Sequence, residues 1–470
     1  MMQTVLTKYW LVIHVALILF ASWIGLFMPR AASFSSLLWL SLLAGEALCL
    51  LPTVRTNENL ADARLRVARS VAQDPFFYLG LSVMGIVFIQ WLNSGCTLVY
   101  LAEADVWQYS LPPVPWAPFS VEAKAASTYV SVFSACVLGG LILRNSVGKE
   151  GKRLLLQAAA ALSGCLACLL AWLTCRGLGP YSGAAQSSGF CAAGSFFGFW
   201  LILGMGGYVD AFARGQRGSG VLFVLAVLGN LLGMLYFSSP SALVLYSGAA
   251  LLLSVYWLAY LNSAVSKAAQ MKLFFVVVAV VASAVVALLF VFPGNPVALK
   301  TASFFEFGNY WAALSEMRAI RMTAAFKIWQ EHLWVGVGAD GFFHFVGTVV
   351  EGKEWTLIKH DQAYVYNDCL QFLGEFGVLG ASLLGAAVVA LIVPICYRAR
   401  LAWLYGAGSV SAQRIFLLRV SPFVVTGVSA TALCFIESWV ASPFRSVSLL
   451  VSWVFVLATL PSFLPVKSRG

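Results

Sequence analysis

Charge is scarce in this sequence. Charged residues fill 10% of its 470 positions and hydrophobic ones 61%, whereas a soluble domain carries about 25% charged residues. No water-soluble core of this length hides so much apolar surface. An ordinary soluble domain is therefore excluded, and lipid is the expected solvent for most of the chain. Histidine is rarer still, with four in the chain. Metal-ligand spacing is also missing: there is no C-x-x-C…C-x-x-C pattern. The one close pair, Cys165 and Cys168, sits inside an apolar run, where sulfur packs as a small hydrophobe. Neither a metal nor any other cofactor is expected. The first apolar stretch, "YWLVIHVALILFASWIGLFM", lacks a small-residue cleavage site and is followed at once by a second. It reads as a retained helix and not as a signal peptide.

What the sequence has is apolar runs. About twelve are long enough to span a bilayer, near 9–29, 34–52, 76–93, 124–143, 154–173, 193–210, 219–237, 241–261, 273–292, 376–396, 420–440 and 446–463. The expected fold class is all-α: a polytopic transmembrane helical bundle. Nine spans lie in an N-terminal bundle (1–292) and three in a C-terminal bundle (376–470), with one large helical loop, 293–375, between the ninth and tenth. The net charge of +10 is a topology signal. With the N-terminus inside, the inner loops collect Arg64, Arg66, Arg69, Arg144, Lys152, Arg153, Arg214, Lys267, Arg398 and Arg400, as the positive-inside bias requires. Nucleic acid is not an expected partner. Both termini fall on the cytoplasmic side and the large loop, with His332, His344 and His360, on the other. Two outer cysteines, Cys175 and Cys191, flank "CRGLGPYSGAAQSSGFC", and an oxidising compartment would permit their pairing.

The large loop contains "LWVGVGADGF", in which Gly336, Gly338 and Gly341 match G-x-G-x-x-G. That pattern cradles a dinucleotide only between a strand and a helix. Here the preceding run, "RMTAAFKIWQEHLW", has helical periodicity, so no nucleotide cofactor is expected. Within that helix Met317, Ile320, Ala324, Ala325, Ile328 and Trp329 form one apolar sector, with Glu316, Thr323, Lys327 and Gln330 opposite. Arg318 and Arg321 project from inside the apolar sector, at i and i+3, as neighbours about 5–6 Å apart. A lone arginine in such a place snorkels toward headgroups. Two adjacent guanidinium groups point to a multiply charged anion, phosphate above all, because each planar fork bonds two oxygens.

Three stretches carry a family resemblance. "RAIRMTAAFKIWQEHLWVGVGADGF" and "YVYNDCLQFLGEFGVLG" resemble, in that order, two blocks of the bacterial O-antigen ligase and polymerase membrane proteins. "FIESWVASPFRSVSLLVSWVFVLATL" is similar to the family's closing span. The residue-level likeness covers about the last third of the chain. It implies a GT-C-like enzyme of the bacterial inner membrane with its active site on the periplasmic side. The implied donor is a polyprenyl-diphosphate-linked glycan. The implied acceptor is the lipid A–core or another glycan, and membrane lipids surround the site. With such a donor, the two inward arginines, Arg318 and Arg321, become the candidate diphosphate contacts. The second block holds the candidate catalytic residues Tyr366, Asn367, Asp368 and Glu375.

The sequence departs from the family at two positions. Tyr366 stands where the family has His, and a tyrosine near pKa 10 is a poor base at neutral pH. His360, Asp361 or Asp368 would then take the proton. Pro240, in "YFSSPSALVLY", stands where the family tends to have Arg, so one phosphate-binding charge is either absent or supplied by Arg445 or Arg176. Asn367, Gln371 and Glu375 share one helical face with Asp368 beside them, a placement that helix capping also explains. Gly374, Gly377 and Gly380 at three-residue steps suggest close helix packing. Ligase and polymerase both remain open, as do a twelve-span secondary transporter and a silent glycolipid binder.

Overall fold

The computed structural model describes residues 2–27, 34–54, 58–101, 106–110, 112–176, 188–264, 307–350, 352–358, 364–406 and 420–464. Among them the regular structure is helical apart from one two-stranded antiparallel hairpin, β1 (Leu98–Leu101) against β2 (Val106–Tyr109), with Leu98 opposite Tyr109. The helices before the hairpin are α1 (Met2–Ser22), α2 (Ser35–Leu50), α3 (Leu60–Ala72) and α4 (Pro75–Leu92). After it come α5 (Ala123–Asn145), α6 (Lys149–Cys175), α7 (Ser188–Ala213), α8 (Arg217–Phe237) and α9 (Pro240–Ala264). The C-terminal part contributes α10 (Phe307–Glu331), α11 (Gly341–Val349), α12 (Gly352–Ile358), α13 (Asp368–Gly406), α14 (Pro422–Glu437) and α15 (Val447–Thr459).

Local chemistry sets several boundaries. Asn59 accepts a hydrogen bond from the Asp62 amide at the start of α3, and Asp74 caps α4 ahead of Pro75. Among the described residues, seven helices are long and apolar enough to cross a membrane: Tyr9–Leu26, Pro75–Leu92, Ala123–Asn145, Lys149–Cys175, Ala192–Phe212, Gly220–Phe237 and Asp368–Leu404. Four shorter apolar helices, Ser35–Leu50, Ser241–Trp257, Pro422–Glu437 and Val447–Phe463, fall on other expected spans. The expected span 273–292 lies outside the described residues. Helix α4 leaves Tyr78, Leu81, Phe88 and Leu92 exposed along one side, a face suited to lipid and not to water. The chain is a helical membrane protein.

The main core lies between α1, α2, α5–α8, α14 and α15. Trp23, Phe196 and Trp200 meet edge-to-face at its centre, with Trp23 and Trp200 ring centroids 5.8 Å apart. A second, smaller core gathers Ala324, Ala325, Ile328, Val337, Phe342, Val346, Ile358 and Val365. It therefore packs α10–α12 and the lead into α13 as one cap, using the apolar sector that the sequence predicts for 317–329.

The expected role of Gly377 needs correction. It is not a small-residue packing site within a continuous helix; at φ +63 and ψ −173 it breaks α13 in two. The break frees backbone groups that residues 333–338 take up. Val378 and Leu379 amides donate to the Leu333 and Trp334 carbonyls at 2.9 and 3.2 Å. The Val337 and Gly338 amides donate to the Gly374 and Glu375 carbonyls at 3.0 and 2.8 Å. Gly336 and Gly338 adopt φ +68 and +86, and a Cβ on Gly336 would collide with the Glu375 carbonyl. The G-x-G of the opening motif therefore joins the cap to the broken helix. Gly336→Ala adds a clash to left-handed strain. It is expected to undock the cap, and limited proteolysis within 333–365 measures that as faster cleavage.

Candidate functional site

The two predicted arginines lie where helical periodicity places them. Arg321 is buried, at 3% exposure, and Arg318 is half-buried. Both guanidinium groups lie over the ring of Tyr366, at 5.8 Å for Arg318 and 4.9 Å for Arg321. Tyr366 reaches that place through an unusual backbone conformation, φ +61, which a bulky L-residue adopts only when its surroundings hold it there. At the position where the resemblance expects a histidine, the structure thus has an aromatic platform under two cations.

From Tyr366 a chain of hydrogen bonds leads inward. The Val365 amide donates to Gln371 Oε1 at 3.2 Å, and Gln371 Nε2 donates to Glu375 Oε1 at 3.1 Å. Glu375 is fully buried and paired with Arg445. Arg445 also pairs with Asp340 at 2.8 Å and donates to the Tyr129 hydroxyl. Its guanidinium is enclosed by the rings of Tyr129 and Phe372. Burial works against the charged form of Arg445, but Glu375 first, then Tyr129 and Asp340, outweigh it. Its pKa rises above the usual arginine value. Two carboxylates already claim this cation, so its geometry suits the positioning of Glu375 better than a phosphate contact.

Asn367 and Asp368 open α13. Asn367 Oδ1 accepts from the Leu370 amide at 3.0 Å, which is capping. Asp368 does more than cap. Its amide donates to the Ser438 carbonyl at 2.8 Å, and its Oδ2 accepts from the Phe444 amide at 2.9 Å. Among the described residues, Asp368 Oδ1 and Glu375 Oε2 are buried and accept no hydrogen bond. His360 and Asp361 lie outside the described residues. Arg176, the other proposed source of charge, ends α6 with its guanidinium over Trp172 at 5.9 Å. Cys175 is a free thiol 3.8 Å from the Tyr236 hydroxyl, and the side chain of Cys191 lies outside the described residues.

Sequence reasoning missed Asp340 and Tyr129. Asp340 has φ 55 and lies inside the glycine motif, directly before Gly341; Asp is among the few side chains that accept this conformation readily, and that was the available signal. Tyr129, on α5, carries none. A further buried carboxylate, Glu437, accepts from Ser195 at 2.5 Å and from Tyr246 at 3.0 Å, one residue before the carbonyl that holds Asp368.

Of the other two histidines of the large loop that are described, His332 packs against the rings of Phe119 and Phe345. His344 faces Glu122 at 3.5 Å and the Tyr109 hydroxyl at 3.2 Å, and so ties α11 to the hairpin. Burial holds its pKa below the ordinary 6.5, against the pull of Glu122. The folded protein thus binds this proton less readily than the unfolded chain does. The stabilisation is present above pH 6.5 and lost as pH falls through the folded value. Protection of the 98–101 and 106–109 amides, taken relative to their intrinsic exchange rates at each pH, is expected to fall on acidification in the wild type. The fall should be smaller in His344→Gln.

Known proteins offer no direct identification: no family model matches the chain, and no curated protein matches it.

Proposed function

We propose that the chain is an integral membrane glycan transferase of the O-antigen ligase or polymerase type. On this reading it moves an oligo- or polysaccharide from a polyprenyl-diphosphate carrier to an acceptor hydroxyl. The site faces the periplasm of a bacterial inner membrane, in a bundle of about twelve spans. One observation carries the proposal: the three separate stretches that resemble the family converge on one network. Arg318 and Arg321 of the first meet Tyr366 of the second. Gly338 bonds to Glu375, and Phe444 and Arg445 of the third hold Asp368 and Glu375.

The chemistry follows from charge. An acceptor hydroxyl oxygen attacks the anomeric carbon, the bond from that carbon to the phosphate oxygen breaks, and its electron pair leaves on the polyprenyl diphosphate. Arg318 and Arg321 neutralise the charge that grows on the leaving group. The acceptor proton passes to a carboxylate. Asp368 suits that role, since one oxygen is fixed by Phe444 while the other is unengaged; His360 is the other candidate. Arg445 acts through Glu375 as a positioning residue.

A transporter also uses broken helices, whose open backbone groups hold substrate. Here four of the groups freed at Gly377 are consumed by residues 333–338, which favours a docked cap over a transport site. The deciding assay adds polyprenyl-diphosphate-linked oligosaccharide to the purified full chain with an acceptor glycan. Release of polyprenyl diphosphate with a lengthened acceptor is expected. Donor retained without release indicates a silent binder, and movement of intact donor across a vesicle indicates transport. The platform makes a separate prediction. Tyr366→Phe keeps the ring and most activity, whereas Tyr366→Ala removes a cation–π contact worth about 0.5–2 kcal/mol per arginine. Donor affinity is then expected to fall by about tenfold.

A further inference from the structure

A second group of cations lies at the other end of the bundle. Helix α5 leads there from Tyr129 to Arg144, and α13 leads there from Gly377 to Arg398. At 1.5 Å per residue this end is roughly 20–30 Å from Arg445. Three of the cations converge on one turn, Leu460–Phe463, which follows α15. Lys152 Nζ donates to Ser462 Oγ at 2.5 Å, and Arg398 Nη1 donates to the Pro461 carbonyl at 2.7 Å. The guanidinium of Arg153 lies 5.8 Å from the Phe463 ring centroid.

Two ordinary explanations fall short. Cations of an inner loop normally keep their heads in water, yet Lys152 is 3% exposed. Cations also cap helix C-termini, but such an end carries only about half a negative charge. Three basic side chains meet this turn, and only Arg398 bonds a carbonyl.

Nearby carboxylates offset only part of this: Glu150, three positions before Arg153 on α6, attracts that guanidinium. Asp74 is taken by Arg144, with contacts at 2.8 and 2.9 Å. Asp210 pairs with Arg214, accepts from Ser421 at 3.4 Å, and is 4.0 Å from Arg153. Lys152 and Arg398 bond adjacent residues of the turn, Ser462 and Pro461, so the two basic groups lie close together. Arg153 Nε is buried and, among the described residues, has no hydrogen-bond partner. A buried ammonium facing like charge is strongly disfavoured without an anion beside it.

We propose that the Leu460–Phe463 turn with Lys152, Arg153 and Arg398 is a binding site for a phosphate-bearing anion, of the kind an anionic lipid headgroup presents. Such basic pockets between membrane helices hold lipid phosphates. Arginine forks and a lysine ammonium together match several oxygens of one phosphate, and the Ser462 hydroxyl supplies a further donor. None of these residues belongs to the candidate transfer site, so this proposal stands or falls independently of that one.

The test uses the full chain in phosphatidylcholine nanodiscs with and without phosphatidylglycerol. Lipid retained after detergent extraction is counted by native mass spectrometry, and a parallel arm adds inorganic phosphate. Wild type is expected to retain phosphatidylglycerol about tenfold over phosphatidylcholine, and Lys152→Met to lose that preference. Retention that inorganic phosphate leaves intact assigns the site to a lipid headgroup. Displacement by inorganic phosphate supports the site with a free anion as its source. If Lys152→Met does not fold, Arg153→Gln and Arg398→Gln carry the same comparison. Equal retention of both lipids with no phosphate binding, or an unchanged preference in every folded variant, overturns the proposal.

Discussion

Arg321→Ala is expected to slow the proposed glycan transfer by about 10²–10³-fold, the usual loss when one donor to a developing oxyanion is removed. The fold should survive. Arg321 contributes a cation–π contact over Tyr366 and buried stem packing, and the contact is worth about 2 kcal/mol at most. Activity should therefore fall far more than stability. Arg318→Ala is expected to match it in rate, with a smaller effect on folding because its side chain is only half-buried. Arg321→Lys separates charge from shape: it keeps the cation but loses the fork, so an intermediate rate is expected. Full turnover in both alanine variants would remove the diphosphate from this helix.

The second large effect concerns stability. Arg445 is the cation paired with Glu375 among the described residues, and Glu375 is fully buried. Arg445→Ala leaves that carboxylate uncompensated, at a cost of about 3–5 kcal/mol. Glu375→Gln should cost less, because Arg445 keeps Asp340 at 2.8 Å. The double variant Arg445→Met/Glu375→Gln is expected to recover most of the lost stability, since a buried pair replaced as a unit is often nearly neutral. Thermal unfolding in one detergent compares the three. An Arg445→Ala protein as stable as Glu375→Gln contradicts the view that Arg445 exists to hold this carboxylate.

Much of this was legible in sequence, and the remainder had a common physical reason for being hidden. Apolar runs announce helices in lipid because each residue contributes independently, and the described spans fall where composition puts them. The inward turn of Arg318 and Arg321 follows from 3.6-residue periodicity, which is also local. Gly377 was different. Its place in a series of glycines suggested helix contact, but its left-handed backbone depends on residues 333–338, which supply partners for the broken ladder. The same segment explains Gly336 and Gly338, whose pattern resembles a nucleotide cradle and whose work is backbone docking. Asp340 and Tyr129 reach Arg445 from 105 and 316 positions away, and no local spacing encodes such contacts. Asn367 accepts from the Leu370 amide, the local capping contact that its place at a helix start predicts.

The reading of the site turns on whether Arg318 and Arg321, stacked on Tyr366, hold a lipid-borne diphosphate. Equilibrium binding of sugar-free polyprenyl diphosphate to the full chain in nanodiscs, measured beside polyprenyl monophosphate, tests this directly. Tighter binding of the diphosphate by wild type, lost in Arg318→Ala and Arg321→Ala alike, is the predicted result. Equal binding of the two lipids, or binding that both variants retain in full, contradicts it.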